Sequence, residues 1–370
     1  MNLTGFISSL RRYDFSFFGI SAIIFLIGVI NLYSATHATS QTEISSLFRA
    51  QIGWYLLSLV IGILVSFIQP KNFYRLAYFL YVGAILVLIL TLVMGQIGMG
   101  ARRWLAFGFL RFQPSELMKI FVVLGLARFF AKENPDRELG LKELIVPAFL
   151  TIIPVLLIIA QPDLGTGLLL MLVSFSVCFY RKLKLKTLLI LGIIGLLTAG
   201  GMYKFGLRDY QRKRITTFLD PETDVKGSGY NAIQSKIAIG SGQFFGKGFN
   251  KSSQASFNYL PENHTDFAFS VFNEEHGFFG ALILISFYVI LFYRFLWLAS
   301  NVTRIFESVV AIGLMSILFW HTFINMGMVM GILPIVGIPL PYVSYGGTSL
   351  LTFAIACGIV TSISNARNLF

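Results

Sequence analysis

Residues 181–203 read RKLKLKTLLILGIIGLLTAGGMY. Arg181, Lys182, Lys184 and Lys186 lead into a run, 187–203, with no charged residue. A bilayer core takes about 17–25 mostly apolar helical residues to cross. Basic residues collect on the cytoplasmic side of a crossing. The segment therefore reads as a transmembrane helix with its cytoplasmic anchor. Nine further runs read the same way, at 15–35, 50–68, 74–95, 114–131, 144–160, 164–180, 267–298, 308–331 and 346–365. The first follows Arg11 and Arg12 as the core of a signal peptide would. It is too long for one, and no small-residue cleavage site follows, so it counts as a helix.

The composition agrees. Residues AVILMFWYC fill 56% of 370 positions, charged residues 12%, and mean hydropathy is +0.75. The 34 glycines raise the apolar share to roughly 65%, against about 45–50% in soluble proteins. A soluble domain this apolar could not cover itself with polar surface. The expected fold is an all-α polytopic membrane protein of about ten transmembrane helices, forming one domain over 1–370. Cys178 and Cys357 lie in apolar runs and read as packing residues, with no disulfide framework and no metal-spaced Cys/His set. The net charge of +12 would ordinarily raise nucleic acid as a partner. Here the cations sit between apolar runs, where orientation and anionic lipid head groups explain them.

Ten spans put both termini on one side. With the N-terminus inside, fifteen Lys and Arg fall on the cytoplasmic side, and the short outer loops hold Arg49, Arg102, Arg103 and Arg111. The positive-inside rule then makes both termini cytoplasmic. The segment 204–266, between helices seven and eight, is much longer than any other loop and lies outside. Loops beyond about 12–15 residues are usually functional or disordered. This one is not low-complexity, and Ile233 and Ile237 recur at a helical interval. Short interfacial helices are expected there. With nine Lys/Arg against five Asp/Glu over 204–264, its charge suits an anionic, lipid-linked substrate or phospholipid head groups.

Chemistry-bearing residues cluster toward this outer side. Gln113-Pro-Ser-Glu-Leu-Met-Lys119 enters the fourth span with Glu116 and Lys119 on one face. They pair with each other or face a polar cavity, because ionisable residues are costly in an apolar helix. Arg102 and Arg103 either snorkel or grip a diphosphate, which guanidinium binds bidentately. In Gln161-Pro-Asp-Leu-Gly-Thr166, Asp163 caps the sixth helix or lines a site. Asp266, in His264-Thr-Asp-Phe267, stands where water meets the eighth span. It is an N-cap or a general base, its pKa raised by desolvation and lowered by nearby cations. Glu274 and Glu275 lie two turns deeper and need partners or water. The run Gly240-Ser-Gly-Gln-Phe-Phe-Gly-Lys-Gly248 looks like a phosphate loop but fails the Walker pattern at Ser241 and Gly248. Lys247 and the backbone amides remain a weak phosphate site. His321 and Asn325 are one turn apart and suit interhelical hydrogen bonds better than metal ligation. Residues 331–347 hold three prolines and four glycines, an irregular backbone that at membrane depth must be buried in protein or line a wet cavity.

Together these motifs resemble the SEDS family of bacterial cell-wall glycosyltransferases. The matching pieces are Ala101-Arg-Arg-Trp104, Phe112-Gln-Pro-Ser-Glu116 with Lys119, Gln161-Pro-Asp-Leu-Gly-Thr166, Ala238-Ile-Gly-Ser-Gly242 with Gly246-Lys-Gly248, His264-Thr-Asp-Phe267, Glu274-Glu275 with Gly277, and Ser344-Tyr-Gly-Gly347. The run 325–341 is similar to the RodA branch more than to the FtsW branch. Asn263, Asn273, His276 and Gln243 depart from the family's usual pattern. The resemblance implies polymerisation of lipid II at the outer face of the bacterial cytoplasmic (inner) membrane during cell elongation, with inversion. It implies Asp266 as the base. Arg102, Arg103, Lys119 and, more weakly, Lys247 would balance the diphosphate, and a divalent cation, Mg or Mn, could share that task. Glu116, Asp163, His264 and Glu275 would shape the cavity or position substrate. The implied partners are a class B penicillin-binding protein, undecaprenyl-diphosphate-linked glycan and other membrane proteins of the elongation machinery. The competing readings are a lipid-linked-oligosaccharide flippase and a non-catalytic scaffold. A flippase needs charges lining the whole membrane depth, and a scaffold tolerates Asp266→Asn.

Overall fold

The computed structural model describes residues 13–37, 46–98, 101–107, 110–206, 209–224, 227–257, 259–260 and 262–367. Arg11 and Arg12 lie outside the described residues. In chain order the helices are α1 (Ser16–His37), α2 (Ser46–Ser66), α3 (Pro70–Met94), α4 (Pro114–Phe130), α5 (Ile145–Ala160), α6 (Leu164–Tyr180), α7 (Leu185–Gly201), α8 (Asp209–Leu219), α9 (Ser228–Ser241), α10 (Ser253–Ser256), α11 (Ala268–Asn301), α12 (Ile305–Val329) and α13 (Gly347–Arg367). A helix occupies each of the ten expected segments. Seven helical segments are long and apolar enough to cross a membrane by themselves, those of α1, α2, α3, α7, α11, α12 and α13. The helices α5 and α6 are shorter, and α4, 17 residues long, carries Glu116, Lys119 and Arg128. Pro70 and Pro114 open α3 and α4, where a missing N–H costs nothing.

The chain is not helical throughout. The connection after α3 forms a three-stranded antiparallel sheet, β1 (Gln96–Gly98), β2 (Ala101–Phe107) and β3 (Leu110–Phe112), in the order β1-β2-β3. A short link between spans has too few residues for another packed helix, so its backbone groups pair with one another in a ladder. The long segment 204–266 holds α8, α9 and α10.

The hub is α12. It packs against α4, α6, α9, α11 and α13, and 78% of its most apolar window is buried. The helix α7 is its opposite, with 6% buried, so it presents apolar side chains outward nearly all round. Glycines allow the closest crossings. A Cβ on Gly62 of α2 would stand 2.7 Å from the Ala354 carbonyl oxygen of α13.

Two stretches of backbone cannot satisfy themselves. The first is inside α11, where Gly277 has φ 63° and ψ −164°. In an unbroken helix the amides of Phe278 and Phe279 would bond the carbonyls of Glu274 and Glu275. Instead they donate to the carbonyls of Gln243 (2.9 Å) and Phe244 (3.0 Å), while the Glu274 and Glu275 carbonyls accept from the amides of Lys247 (2.9 Å) and Gly248 (3.0 Å). The glycine-rich loop thus repairs the break group for group. Its amides at 247 and 248 are occupied, which removes the weak phosphate-loop reading.

The second stretch is 331–346, which carries no regular structure. Side chains from several elements hold its carbonyls. Arg214 donates to Val336 (3.0 Å), Asn325 to Ile338 (2.8 Å) and Tyr288 to Pro341 (2.5 Å), and His321 Nδ1 lies 3.2 Å from the Pro339 oxygen. The Leu340 amide donates to the Ser344 hydroxyl at 3.0 Å. Irregular backbone at this depth persists because protein replaces the water it lacks.

At Gly277 a Cβ would meet the Phe244 carbonyl carbon at 2.7 Å, whereas at Gly240 it would meet nothing within 4 Å. Gly277→Ala is therefore expected to lose at least the roughly 1–3 kcal/mol of a strained left-handed residue. Gly240→Ala should leave the melting temperature in detergent unchanged or slightly raised. Equal melting of the two variants would show that the break at Gly277 is not constrained.

Candidate active site

The end of the bundle that carries the sheet, the α5–α6 turn, the long segment and 331–346 also gathers the candidate residues. Asp266 sits in a turn just before α11. Its backbone is fixed from two directions: Phe267 donates its amide to the Glu262 carbonyl at 3.3 Å, and Asn325 donates to the Asp266 carbonyl at 3.0 Å. Its carboxylate has no hydrogen-bond or ion-pair partner among the described residues. The N-cap reading does not hold, since the cap position of α11 is Phe267 and carries no side-chain cap bond. The carboxylate faces Gly337, whose Cβ, if it had one, would lie 3.4 Å from Asp266 Oδ2. That is ordinary contact distance, and the position favours glycine through its φ of 81°. Burial pushes the Asp266 carboxyl up to about 6. The Glu262 carboxylate adds to the rise, and the Arg214 guanidinium opposes it.

A cavity of about 110 Å³ lies along the chain just before Gly337, and Asp266 itself is not among its lining residues. Arg103, Asp163, Gln211, Arg214, Pro334 and Val336 are among its lining residues. Arg103 reaches it from β2. Its guanidinium lies 3.9 Å from Asp163 Oδ1 and donates to the carbonyls of Gln161 (3.2 Å) and Pro162. Neighbouring strand residues face opposite ways, so Arg102 is exposed and lies off the cavity. Asp163 fulfils both sequence readings. It accepts the Thr166 amide as the cap of α6 (3.3 Å), and it binds Gln113 (3.1 Å) and Arg103 at the cavity wall.

Lys119 is elsewhere. Its side chain is 0% exposed, and its ammonium is held by Glu116 Oε1 at 2.8 Å and His321 Nε2 at 2.7 Å. Glu116 also accepts from Ser349 at 3.0 Å. An ammonium only donates, so His321 Nε2 accepts and Nδ1–H points to Pro339. The expectation that Lys119 balances a diphosphate directly is corrected. The cost of burying a charge is met by a paired network, and that network leaves the ammonium no open face. Lys247 is likewise engaged, 2.5 Å from Glu274 Oε1, and Glu274 collects Ser252 and Ser253 as well. Glu275 is 1% exposed and accepts from Ser34 of α1, a structural tie away from the cavity. His264 anchors the Asp266 turn, with its carbonyl accepting the Tyr345 amide at 2.9 Å and its ring 3.2 Å from Asn263 Oδ1. Burial lowers its pKa, with Glu262 opposing, so the ring is neutral at pH 7.

Arg214 is the residue that sequence reading missed. It stood as one of three adjacent basic residues, Arg212-Lys213-Arg214, with nothing to single it out. The fold of α8 alone brings it opposite Arg103. Among the described residues, no three His, Cys, Asp or Glu side chains gather as a metal site.

Comparison with known proteins gives a consistent picture. The family model for FtsW, RodA and SpoVE, described as a cell cycle protein, matches residues 14–369. The peptidoglycan glycosyltransferase MrdB of Escherichia coli K12 is 43% identical over 87% of each chain. The peptidoglycan glycosyltransferase RodA of Treponema pallidum is 31% identical, covering 93% of this chain and 95% of its own. The solved structure of a peptidoglycan synthase complex, described as coordinating polymerization and crosslinking, superposes with a TM-score of 0.82 at 31% identity over 96% of this chain and 98% of its own. The rod shape determining protein RodA of Thermus thermophilus gives 0.72 at 30% identity, over 96% of this chain and 97% of its own.

The electrostatics make a direct prediction. Infrared spectra recorded against pH, with Asp266→Asn as the blank, should show a carboxyl taking up its proton near pH 6. Arg214→Ala should raise that midpoint and Glu262→Gln should lower it. A midpoint in the ordinary aspartate range, near 4, would contradict the desolvated setting.

Proposed function

The chain belongs to the SEDS family, the FtsW/RodA/SpoVE proteins, and is a multi-pass peptidoglycan glycosyltransferase; on that premise we propose that it polymerises lipid II with Asp266 as general base. In this reading the 4-hydroxyl of the acceptor sugar attacks the anomeric carbon of the donor. Asp266 takes the hydroxyl proton as the new C–O bond forms. The bond from the anomeric carbon to the diphosphate breaks, and its electron pair leaves with the diphosphate oxygen. One displacement turns an α linkage into a β-1,4 bond, so a single base suffices and no covalent intermediate is needed. Arg103 and Arg214 offset the charge that develops on the diphosphate. Their fork geometry suits phosphate oxygens.

The observation that carries the reading is the unpaired, desolvated carboxylate of Asp266 within the electrostatic reach of Arg214, which lines a cavity together with Arg103. A base must be free and have a pKa near the working pH, and a leaving anion needs fixed cations. An apolar groove of about 680 Å³ between α3 and α4, lined by Tyr78, Phe79, Val82, Phe112 and Leu117, leads to Pro114, next to Gln113. It offers an isoprenoid tail a place beside the same end of the bundle. A Mg²⁺ or Mn²⁺ would arrive with the diphosphate as its counter-ion. We assign the Asp266 end to the outer face of the cytoplasmic membrane, with both termini inside. A class B penicillin-binding protein is the proposed partner, supported by the likeness to a synthase complex.

The test is polymerisation of lipid II by the purified chain, with and without such a partner, with glycan products resolved by length. Wild type should make polymer. Asp266→Asn should make none while melting at the wild-type temperature, and Arg103→Ala and Arg214→Ala should retain a few per cent or less. Polymer from Asp266→Asn at the wild-type rate would sink the base assignment. No polymer from any form, with translocation of lipid II in vesicles, would favour a flippase.

A further inference from the structure

We propose that Asn325 is a positioning residue for the reaction, one that sets the place of the Asp266 carboxylate by clamping two carbonyls with a single amide nitrogen. The inference rests on the reading of Asp266 as the base. Asn325 lies on α12, the hub of the bundle, and is 0% exposed. Its Nδ2 donates to the Asp266 carbonyl at 3.0 Å and to the Ile338 carbonyl at 2.8 Å. An amide nitrogen carries two hydrogens, and both are used. One side chain therefore joins the turn that carries the base to the irregular strand that faces it. Gly337, next to Ile338, is the residue against which the Asp266 carboxylate rests. Val336, one further back, lines the cavity and accepts from Arg214. The distance between proton acceptor and leaving-group site thus runs through Asn325.

One other hydrogen bond among the described residues joins the same two segments, the Tyr345 amide to the His264 carbonyl at 2.9 Å, but it holds neither the Asp266 carbonyl nor the stretch beside Gly337. His321, one turn along α12, reaches Pro339 but not the Asp266 turn. The Asp266 side chain makes no bond of its own that would hold it. The Oδ1 of Asn325 is buried without a partner among the described residues. A helix position serving packing alone would favour an apolar residue, because an unpaired buried polar atom costs about 1–3 kcal/mol. The amide is retained here in spite of that cost. Its two donor bonds are where it acts.

Three substitutions separate positioning from bulk. Asn325→Leu keeps the branching at Cγ with a bulkier apolar head and removes both donors. Asn325→Asp keeps the shape, removes the donors and adds a charge to the environment of Asp266, which already includes Glu262 on its own turn and Arg214 from α8. Asn325→Gln keeps both donors on a longer arm. Lipid II polymerisation by the full-length chain, in the partner-containing assay, should show kcat for Asn325→Leu down by about a hundredfold, the scale of a 1 Å misplacement. KM for lipid II should stay within about twofold, since the tail groove and the cavity arginines are untouched. Asn325→Gln should recover part of the loss. Asn325→Asp should move the acid limb of the rate profile to higher pH. The melting temperature of each variant is recorded alongside. Asn325→Leu with wild-type kcat would overturn the proposal. So would a loss that Asn325→Gln fails to ease at all, because that pattern belongs to packing. If Asn325→Leu does not fold, Asn325→Gln and Asn325→Asp still decide, through partial activity in the first and the shifted acid limb in the second. An inactive wild type would count against the glycosyltransferase reading itself, whereas an active wild type, an inactive Asp266→Asn and an unaffected Asn325→Leu would count against this inference alone.

Discussion

Within a membrane, every backbone amide and carbonyl needs a partner from the protein itself. This chain breaks its regular structure at Gly277 and along 331–346, the second beside its candidate site, so the partners must come from other segments. At Gly277 two amides and two carbonyls leave the helix ladder, and the carbonyls of 243 and 244 and the amides of 247 and 248 take them up. Along 336–341 the carbonyls are held by arginine, asparagine, histidine and tyrosine side chains from three other elements, α8, α11 and α12. The second set lets irregular chain approach Asp266 while its own carbonyls stay bonded to protein. The desolvation that results raises the carboxyl to about 6. A fully helical bundle would satisfy its backbone more simply, but it would offer no polar cleft at that depth.

The membrane class was legible from hydropathy alone, because about 20 apolar residues per span is a requirement of bilayer thickness rather than of packing. The small sheet at 96–112 was not. Its strands are short, and Arg102 and Arg103 read equally well as a basic loop. Asp266 was legible as a site residue through its motif, though its sequence reading left capping and base catalysis open. The structure removes the capping reading, since Phe267 holds the cap position. Asp163 shows that such alternatives need not exclude each other, for it caps α6 and holds Arg103.

The cations divide in a way no local pattern shows. Lys119 and Lys247 look like phosphate ligands on a linear reading, yet each is consumed by a buried carboxylate. Arg214, undistinguished in a basic stretch, reaches the cavity. Whether a cation is available depends on which carboxylates the fold brings within about 3 Å of it: Glu116 is a neighbour of Lys119 on the same helix, whereas Glu274 reaches Lys247 from far along the chain. The Glu116–Lys119–His321 network also ends on the Pro339 carbonyl, so it helps hold the strand next to the base. It supports the site from behind.

The pH dependence of the polymerisation rate at saturating lipid II tests base catalysis by Asp266 most directly. The rate should climb as pH rises through about 6 and level off above it. Removing the Arg214 charge should move that climb to higher pH, in step with the carboxyl it normally stabilises as the anion. A profile that is flat from pH 5 to 8, or one that Arg214→Ala leaves in place, would contradict base catalysis by this carboxylate.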